Sequence, residues 1–475
     1  MSRPGVARAE TWRIDDLRSL ADSWEAQATT LHARSTAAAS VPGAEWTGRA
    51  ADAARQRMQT LRTRADDIAM ALVLAAAAAR DAADQLGTAR QRVLALSATA
   101  RAEGYAVSDT GGVSVSAPPS ELLTLLSGGD VTVARDLQLR RAVDLTRDLT
   151  TALDALGAAD TDAAHDIAEA FAAATSATPT TPASAVAPDG NAWSERIVAN
   201  RLRVARELLD TSAGSPRADL YRALLAEVDD PTGSGTRIDR QILEFDPTRD
   251  VLVELNGDLL TADHVAVLVP GMNTTLDGSA ATTATARSFV TASAGDVAAI
   301  TYLGGRFPQS DFLPLAVLDA ADPRYALVMA PRLAAFSREL DLAVEGTGAD
   351  VTVIGHSYGG AVVGTAEVVG LTSDRTLYLA AAGAGVGVDD PSDWHNGNPS
   401  VTRYSMTAPG DPIQVVQHLG VHGVDPDEMP GVVRLDAGRY DDGRPVEGLP
   451  AHSDVLSDTE SDAWRTVLAV ITGDR

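Results

Sequence analysis

The second half of the chain alternates short apolar runs with helical segments. In runs such as HVAVLVP, VAAITYL and VTVIG, apolar residues follow one another without the polar alternation of a half-exposed strand. Strands of this kind are buried on both faces, and helices between successive strands produce a mostly parallel sheet. Residues 191–475 are therefore predicted to form an α/β domain with eight strands: RIDRQILEF, VLVEL, HVAVLVP, VAAITYL, VTVIG, RTLYLAA, VTRYSM and VVRLD.

The first 173 residues follow a different pattern. Residues 10–40 and 49–102 are rich in Ala, Leu, Arg, Glu and Gln and contain no internal proline, which favours two long helices. Pro42 and Gly48 interrupt the pattern between them. Two long helices joined by a short turn form a helical hairpin, so residues 1–173 are predicted to be an all-α helical-hairpin domain.

Three further segments complete this region. The stretch GYAVSDTGGVSVSA is predicted to form a β-hairpin, because polar and apolar residues alternate around a turn. A long helix is expected over residues 131–173, with a break at Gly157. Residues 174–190 are rich in Pro, Thr and Ala, so they are predicted to be the linker before the α/β domain.

Composition excludes several classes of function. All 39 basic residues are arginine, and the net charge is −26. Without lysine the chain has neither a P-loop lysine nor a Schiff-base nucleophile, and its acidity opposes binding to nucleic acid. With no cysteine, thiol nucleophiles and thiolate metal sites are excluded. No metal or cofactor is expected, since GAGVGV at 383–388 lacks the spacing of a dinucleotide fingerprint.

A serine lies at the most distinctive turn of the sequence. Gly355-His-Ser357-Tyr-Gly359 fits the pattern G-x-S-x-G, and it follows the buried strand VTVI and precedes the helical stretch GAVVGTAEVV. In this context the glycines allow a turn so sharp that the serine hydroxyl is exposed at the edge of the sheet. Ser357 is therefore predicted to be a nucleophile.

A nucleophilic serine needs a histidine base, which in this arrangement is expected on the loop after the last strand. Four histidines come after Ser357. His395 precedes the strand VTRYSM, and His418 and His422 precede VVRLD, so these three are expected in solvent-facing or cap loops. His452 lies between VVRLD and the final helix and is the favoured base.

The acid that orients the histidine is expected after the strand VTRYSM. Asp411 lies in the turn APGDPI directly after it, where neighbouring prolines hold a short carboxylate. Asp389, Asp390 and Asp393 are alternatives in a loop one strand earlier, and Asp436 at the end of VVRLD is another.

The negative charge that develops on a substrate carbonyl requires two backbone N–H donors. The first is expected from Tyr358, the residue after the nucleophile. The second is expected from the loop after HVAVLVP, where Met272 is favoured and Asn273 is held in reserve. The apolar loop over residues 304–325 is expected to line an acyl pocket or lid, or to cover the core.

Several of these segments carry a family resemblance. HVAVLVPGMNTT, VTVIGHSYGG, APGDPI and AHSDVLS together resemble an actinobacterial α/β-hydrolase family of unknown function, often found behind a helical region. The resemblance covers about residues 190–475 and implies an α/β-hydrolase fold. It also implies that Ser357, Asp411 and His452 form a catalytic triad, and it implies no particular substrate.

The helical domain resembles another group of proteins. Trp46, Thr47 and Gly48 lie in the predicted turn of the hairpin, as in the WXG-type hairpins of type VII secretion systems, and YAVSD at 105–109 fits the Tyr-x-x-x-Asp/Glu pattern of their substrates. Trp46 is expected either to bind a helical protein partner or to plug the gap between helix ends. YAVSD also fits the predicted β-hairpin, which is the favoured interpretation of this segment.

The sequence thus predicts a serine hydrolase that cleaves an ester or related acyl bond of a small-molecule substrate. The alternative is a secretion-associated protein whose hydrolase domain is cargo. No Sec signal peptide and no transmembrane segment are recognisable, since the longest apolar run covers only residues 69–79. A cytoplasmic location is expected, with export by a type VII-like route as the alternative.

Overall fold

The structure is a computed structural model that describes residues 3–39, 46–176, 190–310 and 320–475. Most of the predicted linker and the central part of the predicted apolar loop lie outside these residues, as does most of the predicted turn before Trp46. The chain divides into two compact units. The first comprises Met1–Thr181 and Ala205–Glu227, and the second comprises Pro182–Val204 and Val228–Arg475.

The first unit is built from long helices and one β-hairpin. Its elements are α1 (Val6–Thr11), α2 (Ile14–Ala39), α3 (Arg49–Ala102), β1 (Tyr105–Val107), β2 (Val113–Val115), α4 (Glu121–Leu126), α5 (Val131–Ser176) and α7 (Pro216–Leu225), together with the last residues of α6 (Gly190–Asp210). The strands β1 and β2 pair antiparallel, with Tyr105 opposite Val115, in the stretch where the sequence predicts a hairpin. Leu149, Leu153 and Leu156 of α5 lie in the core of this unit.

One predicted helix break is absent. The helix α5 continues through Gly157, where the sequence analysis placed an interruption. A Cβ atom at this position would lie 3.1 Å from Cδ of Pro4, so the glycine allows the N-terminal segment to approach the helix closely. The prediction of a break at Gly157 was therefore wrong because the residue serves packing rather than helix termination.

The second unit alternates strands and helices. After the first part of α6, its elements are β3 (Val228–Asp229), β4 (Arg237–Ile238), β5 (Gln241–Asp246), β6 (Val251–Asn256), β7 (His264–Val269), α8 (Ser279–Ala292), β8 (Val297–Gly304), α9 (Arg324–Val344), β9 (Asp350–His356), α10 (Tyr358–Val368), β10 (Arg375–Leu379), β11 (Thr402–Met406), α11 (Ile413–His418), β12 (Val433–Arg434), α12 (Gly448–Ser457) and α13 (Asp462–Ile471).

Within the described residues, eight strands form one sheet in the order β12-β11-β10-β9-β7-β8-β6-β5. The six strands from β12 to β8 are parallel, and β6 and β5 are antiparallel to their neighbours. All residues of β6 and β8 are buried, as strands covered on both faces require. The predicted mostly parallel, eight-stranded sheet is confirmed.

The strand order determines which loops meet. The strand β9 pairs in parallel with both β7 and β10, so the carboxyl ends of these three strands lie side by side. The loops after β7, β9 and β11 all leave this carboxyl edge, where open α/β sheets commonly bind their ligands. The residues predicted to carry chemistry therefore belong to neighbouring loops, although they are far apart in the sequence.

None of the helices in the described ranges contains an apolar stretch long enough to cross a bilayer.

The tight packing of α10 against the loop after β10 gives a prediction about stability. A Cβ atom at Gly364 would overlap the carbonyl group of Ala384, so we expect Gly364→Ala to lower the free energy of unfolding by about 1–3 kcal/mol. Gly346→Ala is the matched control, since a Cβ atom there would meet no atom within 4 Å. Denaturant unfolding of both variants provides the measurement, and wild-type stability of Gly364→Ala would contradict the observed packing.

Candidate active site

Ser357 lies in a strained turn between β9 and α10. Its φ is 57° and its ψ is −122°, a conformation that residues other than glycine rarely adopt. The turn is held by its own backbone, because the Ser357 N–H donates to the carbonyl of Leu379 at 3.0 Å and its carbonyl accepts from the N–H of Ala382 at 2.9 Å. The end of β10 therefore supports the turn that presents the hydroxyl.

The glycines of the turn are required by close backbone contacts. A Cβ atom at Gly355 would lie 2.6 Å from the carbonyl oxygen of Gly359, and one at Gly359 would lie 2.6 Å from the carbonyl oxygen of Pro270. Such distances leave no room for a side chain. The G-x-S-x-G pattern is thus explained by the packing of α10 against both β9 and the end of β7.

Ser357, His452 and Asp411 form a continuous series of hydrogen bonds. The Ser357 hydroxyl lies 2.9 Å from Nε2 of His452, and Nδ1 of His452 lies 2.9 and 3.0 Å from the two carboxylate oxygens of Asp411. Because a carboxylate only accepts, Nδ1–H is the donor to Asp411 and Nε2 accepts from the serine. Asp411 is 2% exposed and Ser357 is 7% exposed, so water hardly competes for these bonds.

Asp411 is held in place by its own turn. Its Oδ1 also accepts the N–H of Ile413 at 2.8 Å, which fixes the carboxylate relative to the start of α11. The carbonyl of Pro409 accepts the N–H of Gly448 at 2.8 Å. Since Gly448 is the first residue of α12, this bond joins the loop that carries the acid to the helix that carries His452.

His452 lies in the helix α12, whereas the sequence analysis expected it in a loop. Residues 448–457 are helical, and Ala451, Val455 and Leu456 are buried on one side. This spacing of apolar residues is typical of a helix with one packed face. The histidine therefore comes from a regular element that packs against the unit, which restricts its position more than a loop would.

The loop after β7 lies directly against Ser357. A Cβ atom at Gly271 would be 2.7 Å from Cβ of Ser357. Among the described residues, the N–H of Met272 has no hydrogen-bond acceptor, and neither has the N–H of Tyr358, the first residue of α10. The N–H of Asn273, the reserve donor predicted from the sequence, donates to the carbonyl of Pro308 at 2.9 Å.

His356 is a polar residue of the site that the sequence analysis did not single out. Its Nε2 lies 2.6 Å from the backbone carbonyl of His452, to which it must donate because a carbonyl only accepts. Burial lowers the pKa of His356 to about 4, and the neighbouring His452 shifts it in the same direction. The position before the serine in G-x-S-x-G accepts many residue types, so the motif contains no signal for this contact.

His422 is buried, so of the two expectations for it, a solvent-facing or a cap loop, the solvent-facing one was wrong. It is 1% exposed, and its Nε2 donates to the carbonyl of Ala320 at 2.6 Å. Its ring packs edge-on against Tyr358 with a centroid distance of 5.2 Å. Burial lowers the pKa of His422. The Tyr358 hydroxyl bonds to the carbonyl of Asp322, so the chain just before α9 is attached to the residue after Ser357.

Among the described residues, the acid that His452 contacts is Asp411, and none of the other acidic candidates is bonded to it. The Asp393 carboxylate accepts the N–H groups of Asp389 and Asp390 at 2.9 Å, within the turn around a 3₁₀ helix at Pro391–Asp393. Asp436 is exposed and accepts the N–H of Gly438 at 2.8 Å. The histidines predicted to lie outside the site, His395 and His418, are both exposed.

A depression of about 860 Å³ lies at the other edge of the sheet. Asp230, Asp258 and Asp296 belong to its lining, and Asp296 directly precedes β8. The amino ends of the parallel strands form this edge, so the depression is remote from Ser357. Its size does not make it the reaction site, because the hydrogen-bonded series lies at the carboxyl edge.

The lowered pKa of His356 gives a prediction about stability and pH. In the unfolded chain this histidine titrates near pH ~6.5, whereas in the folded protein its pKa is about 4. Between these values the unfolded state binds more protons, so the free energy of unfolding decreases as pH falls from 7 to 4. Denaturant unfolding at pH 7 and pH 5 should therefore give a larger loss of stability for wild type than for His356→Gln. Equal losses would contradict a neutral, buried His356.

One comparison with known proteins, a family match, agrees with this architecture. Residues 246–421 match the family model described as alpha/beta hydrolase. The match contains Ser357 and Asp411 and ends before His452. No curated protein gives a significant match. Among solved structures, the crystal structure of TT1662 from Thermus thermophilus is similar at 13% identity over 42% of this chain and 88% of that chain, with a TM-score of 0.25. On the family match, the chain contains an α/β-hydrolase family domain at residues 246–421, and a helical N-terminal region precedes it.

Proposed function

We propose that the protein is a serine hydrolase that cleaves a carboxylic ester or a related acyl bond of a small-molecule substrate through an acyl-enzyme. The observation that carries this proposal is the hydrogen-bonded series from Ser357 through His452 to Asp411. The three groups have the roles of nucleophile, base and orienting acid in such enzymes. Because the turn carries serine rather than aspartate, a covalent intermediate on serine is favoured over the aspartyl intermediate of epoxide hydrolases.

The first half of the reaction forms the acyl-enzyme. Oγ of Ser357 attacks the substrate carbonyl carbon while Nε2 of His452 takes the hydroxyl proton. The bond between the carbonyl carbon and the alcohol oxygen then breaks, and His452 returns the proton to the departing alcohol. Asp411 remains ionised throughout, since it stabilises the imidazolium and keeps the proton on Nδ1.

The second half uses water in place of the alcohol. His452 takes a proton from water, and the resulting hydroxide attacks the acyl carbon. The bond from this carbon to Oγ of Ser357 then breaks, the acid product leaves, and His452 returns the proton to Ser357. The tetrahedral intermediate of each half carries a negative oxygen. We assign the N–H groups of Met272 and Tyr358 to this oxygen, because neither has an acceptor among the described residues and both adjoin Ser357.

The triad assignment predicts the kinetics of four variants on p-nitrophenyl esters of increasing chain length. Ser357→Ala and His452→Ala should each abolish measurable turnover, and the double variant should be no worse than either single variant because the groups act as a unit. Asp411→Asn should lower kcat by roughly 10⁴-fold, since an amide disturbs the tautomer of His452. Steady-state rates at pH 7.5 measure both effects, and circular dichroism checks folding.

Matched controls come from residues of the same type outside the series. Asp436→Asn and His418→Ala should retain wild-type kcat, because both side chains are exposed and neither contacts Ser357. Wild-type turnover by Ser357→Ala would refute the proposed nucleophile. An equal loss in Asp411→Asn and Asp436→Asn would refute the proposed acid.

A second candidate function is interaction of the helical unit with a secretion partner, with the hydrolase domain as cargo. One observation favours it: Trp46 is 52% exposed, so its ring is accessible rather than buried as a plug. Both the cytoplasmic location and the type VII-like route remain predictions from the sequence.

The interaction hypothesis has its own test. Trp46→Ala and Gly48→Ala should abolish export from a cell with a type VII system and leave ester turnover unchanged. The amount of each variant in the culture supernatant is measured by immunoblot. Export equal to that of wild type would contradict the hypothesis.

A further inference from the structure

Asn273 makes more hydrogen bonds than a turn requires. Its N–H donates to the carbonyl of Pro308 at 2.9 Å. Its side chain forms two more bonds to one residue, since Oδ1 accepts the N–H of Ser310 at 2.8 Å and Nδ2 donates to the Ser310 carbonyl at 3.2 Å. The amide side chain thus pairs with both backbone groups of Ser310, which fixes its orientation. We call these three bonds the Asn273 clamp.

The backbone at Asn273 is left-handed. Its φ is 64°, a value that asparagine tolerates better than most residues other than glycine. One residue further, the carbonyl of Thr274 accepts a bond from the side chain of Gln309 at 3.1 Å. Several bonds therefore join the loop after β7 to residues 308–310, the segment that follows β8.

These contacts enclose the Met272 amide from both sides. On one side Gly271 packs directly on Ser357, where even a Cβ atom would collide. On the other side the Asn273 clamp fixes the next residue. With both neighbours held, the peptide N–H of Met272 has little freedom to rotate, although no acceptor among the described residues restrains it. A preorganised donor of this kind is what stabilises charge developing on a substrate oxygen.

We propose that Asn273 is a positioning residue for the oxyanion donor at Met272. All the polar groups of Asn273 named above are engaged by Pro308 and Ser310. Asn273 therefore acts through the adjacent residue Met272 and does not itself bind the substrate. The proposal rests on the proposed serine-hydrolase function and adds to it a residue whose only chemical role is to hold the loop after β7. Loss of the clamp should therefore reduce the stabilisation of the transition state and leave substrate binding nearly unchanged.

Two substitutions at Asn273 separate the backbone from the side chain. Asn273→Gly keeps the left-handed backbone and the N–H bond to Pro308 but removes both bonds to Ser310. Asn273→Asp keeps the acceptor for the Ser310 N–H and places an oxygen against the Ser310 carbonyl, so one bond is lost and a repulsion is added. Asn398→Gly is the matched control, because its side chain also makes one donor and one acceptor bond, to Asp374 and Ser400, and it precedes β11 at the other edge of the sheet.

The readout is the rate on an ester and on the corresponding thionoester, measured with the full-length chain. The sulfur of a thionoester accepts hydrogen bonds weakly, so its hydrolysis gains little from oxyanion donors. We expect Asn273→Gly and Asn273→Asp to lower kcat for the ester by about 10- to 100-fold, less than the roughly 10²- to 10³-fold loss that follows deletion of a donor. KM should stay within about threefold, and the ratio of ester to thionoester rates should fall.

The possible outcomes are distinct. A selective loss on the ester in both Asn273 variants, with Asn398→Gly unchanged, supports the proposal. An equal loss on ester and thionoester would mean a merely structural role and overturn it, as would wild-type rates for Asn273→Gly. If the wild-type protein hydrolyses neither substrate, the proposed hydrolase function itself fails and the role of Asn273 fails with it. This outcome is distinguishable from failure of the Asn273 proposal alone, because in it the unsubstituted protein is already inactive.

Discussion

The backbone conformation at Ser357 is the constraint on which the rest of the site depends. With φ at 57°, the chain reverses between β9 and α10 within one residue, and this is possible only because α10 lies against the end of β7 without intervening side chains. The order of strands supplies that neighbour, since β9 pairs with β7 on one side and β10 on the other. The same pairing brings the Gly271 backbone against Ser357. The fold thus creates a nucleophile and a donor loop by a single arrangement of strands.

Hydrogen bonds to backbone carbonyls, rather than ion pairs, join the segments of the site. His356 donates to the carbonyl of His452, Gly448 donates to that of Pro409, and Asn273 donates to that of Pro308. Each bond joins two segments that are distant in the sequence and meet at the carboxyl edge of the sheet. The donors and acceptors of these three bonds are neutral, so their geometry should depend little on salt. This arrangement is suited to a reaction in which charge develops only transiently.

The sequence predicts the sheet and the grouping of Ser357, Asp411 and His452 because both follow from chain order: buried strands are recognisable by composition, and loops after parallel strands meet at one edge. It does not predict contacts made between distant backbone groups. The burial of His422, the bond from His356 and the continuation of α5 through Gly157 all depend on which segment packs against which. A single sequence contains no local signal for such partners. A glycine that allows close packing cannot be told from one that ends a helix by the local sequence alone.

The most direct test of this account is the site of reaction with a fluorophosphonate probe, which is attacked by an activated serine and leaves a stable adduct. Intact mass and peptide mapping after labelling of the full-length chain should find one phosphonyl group, located on Ser357, and His452→Ala should prevent its formation. No adduct on well-folded protein, or an adduct on another residue, would contradict the claim that the strained turn, Asp411 and His452 together activate Ser357.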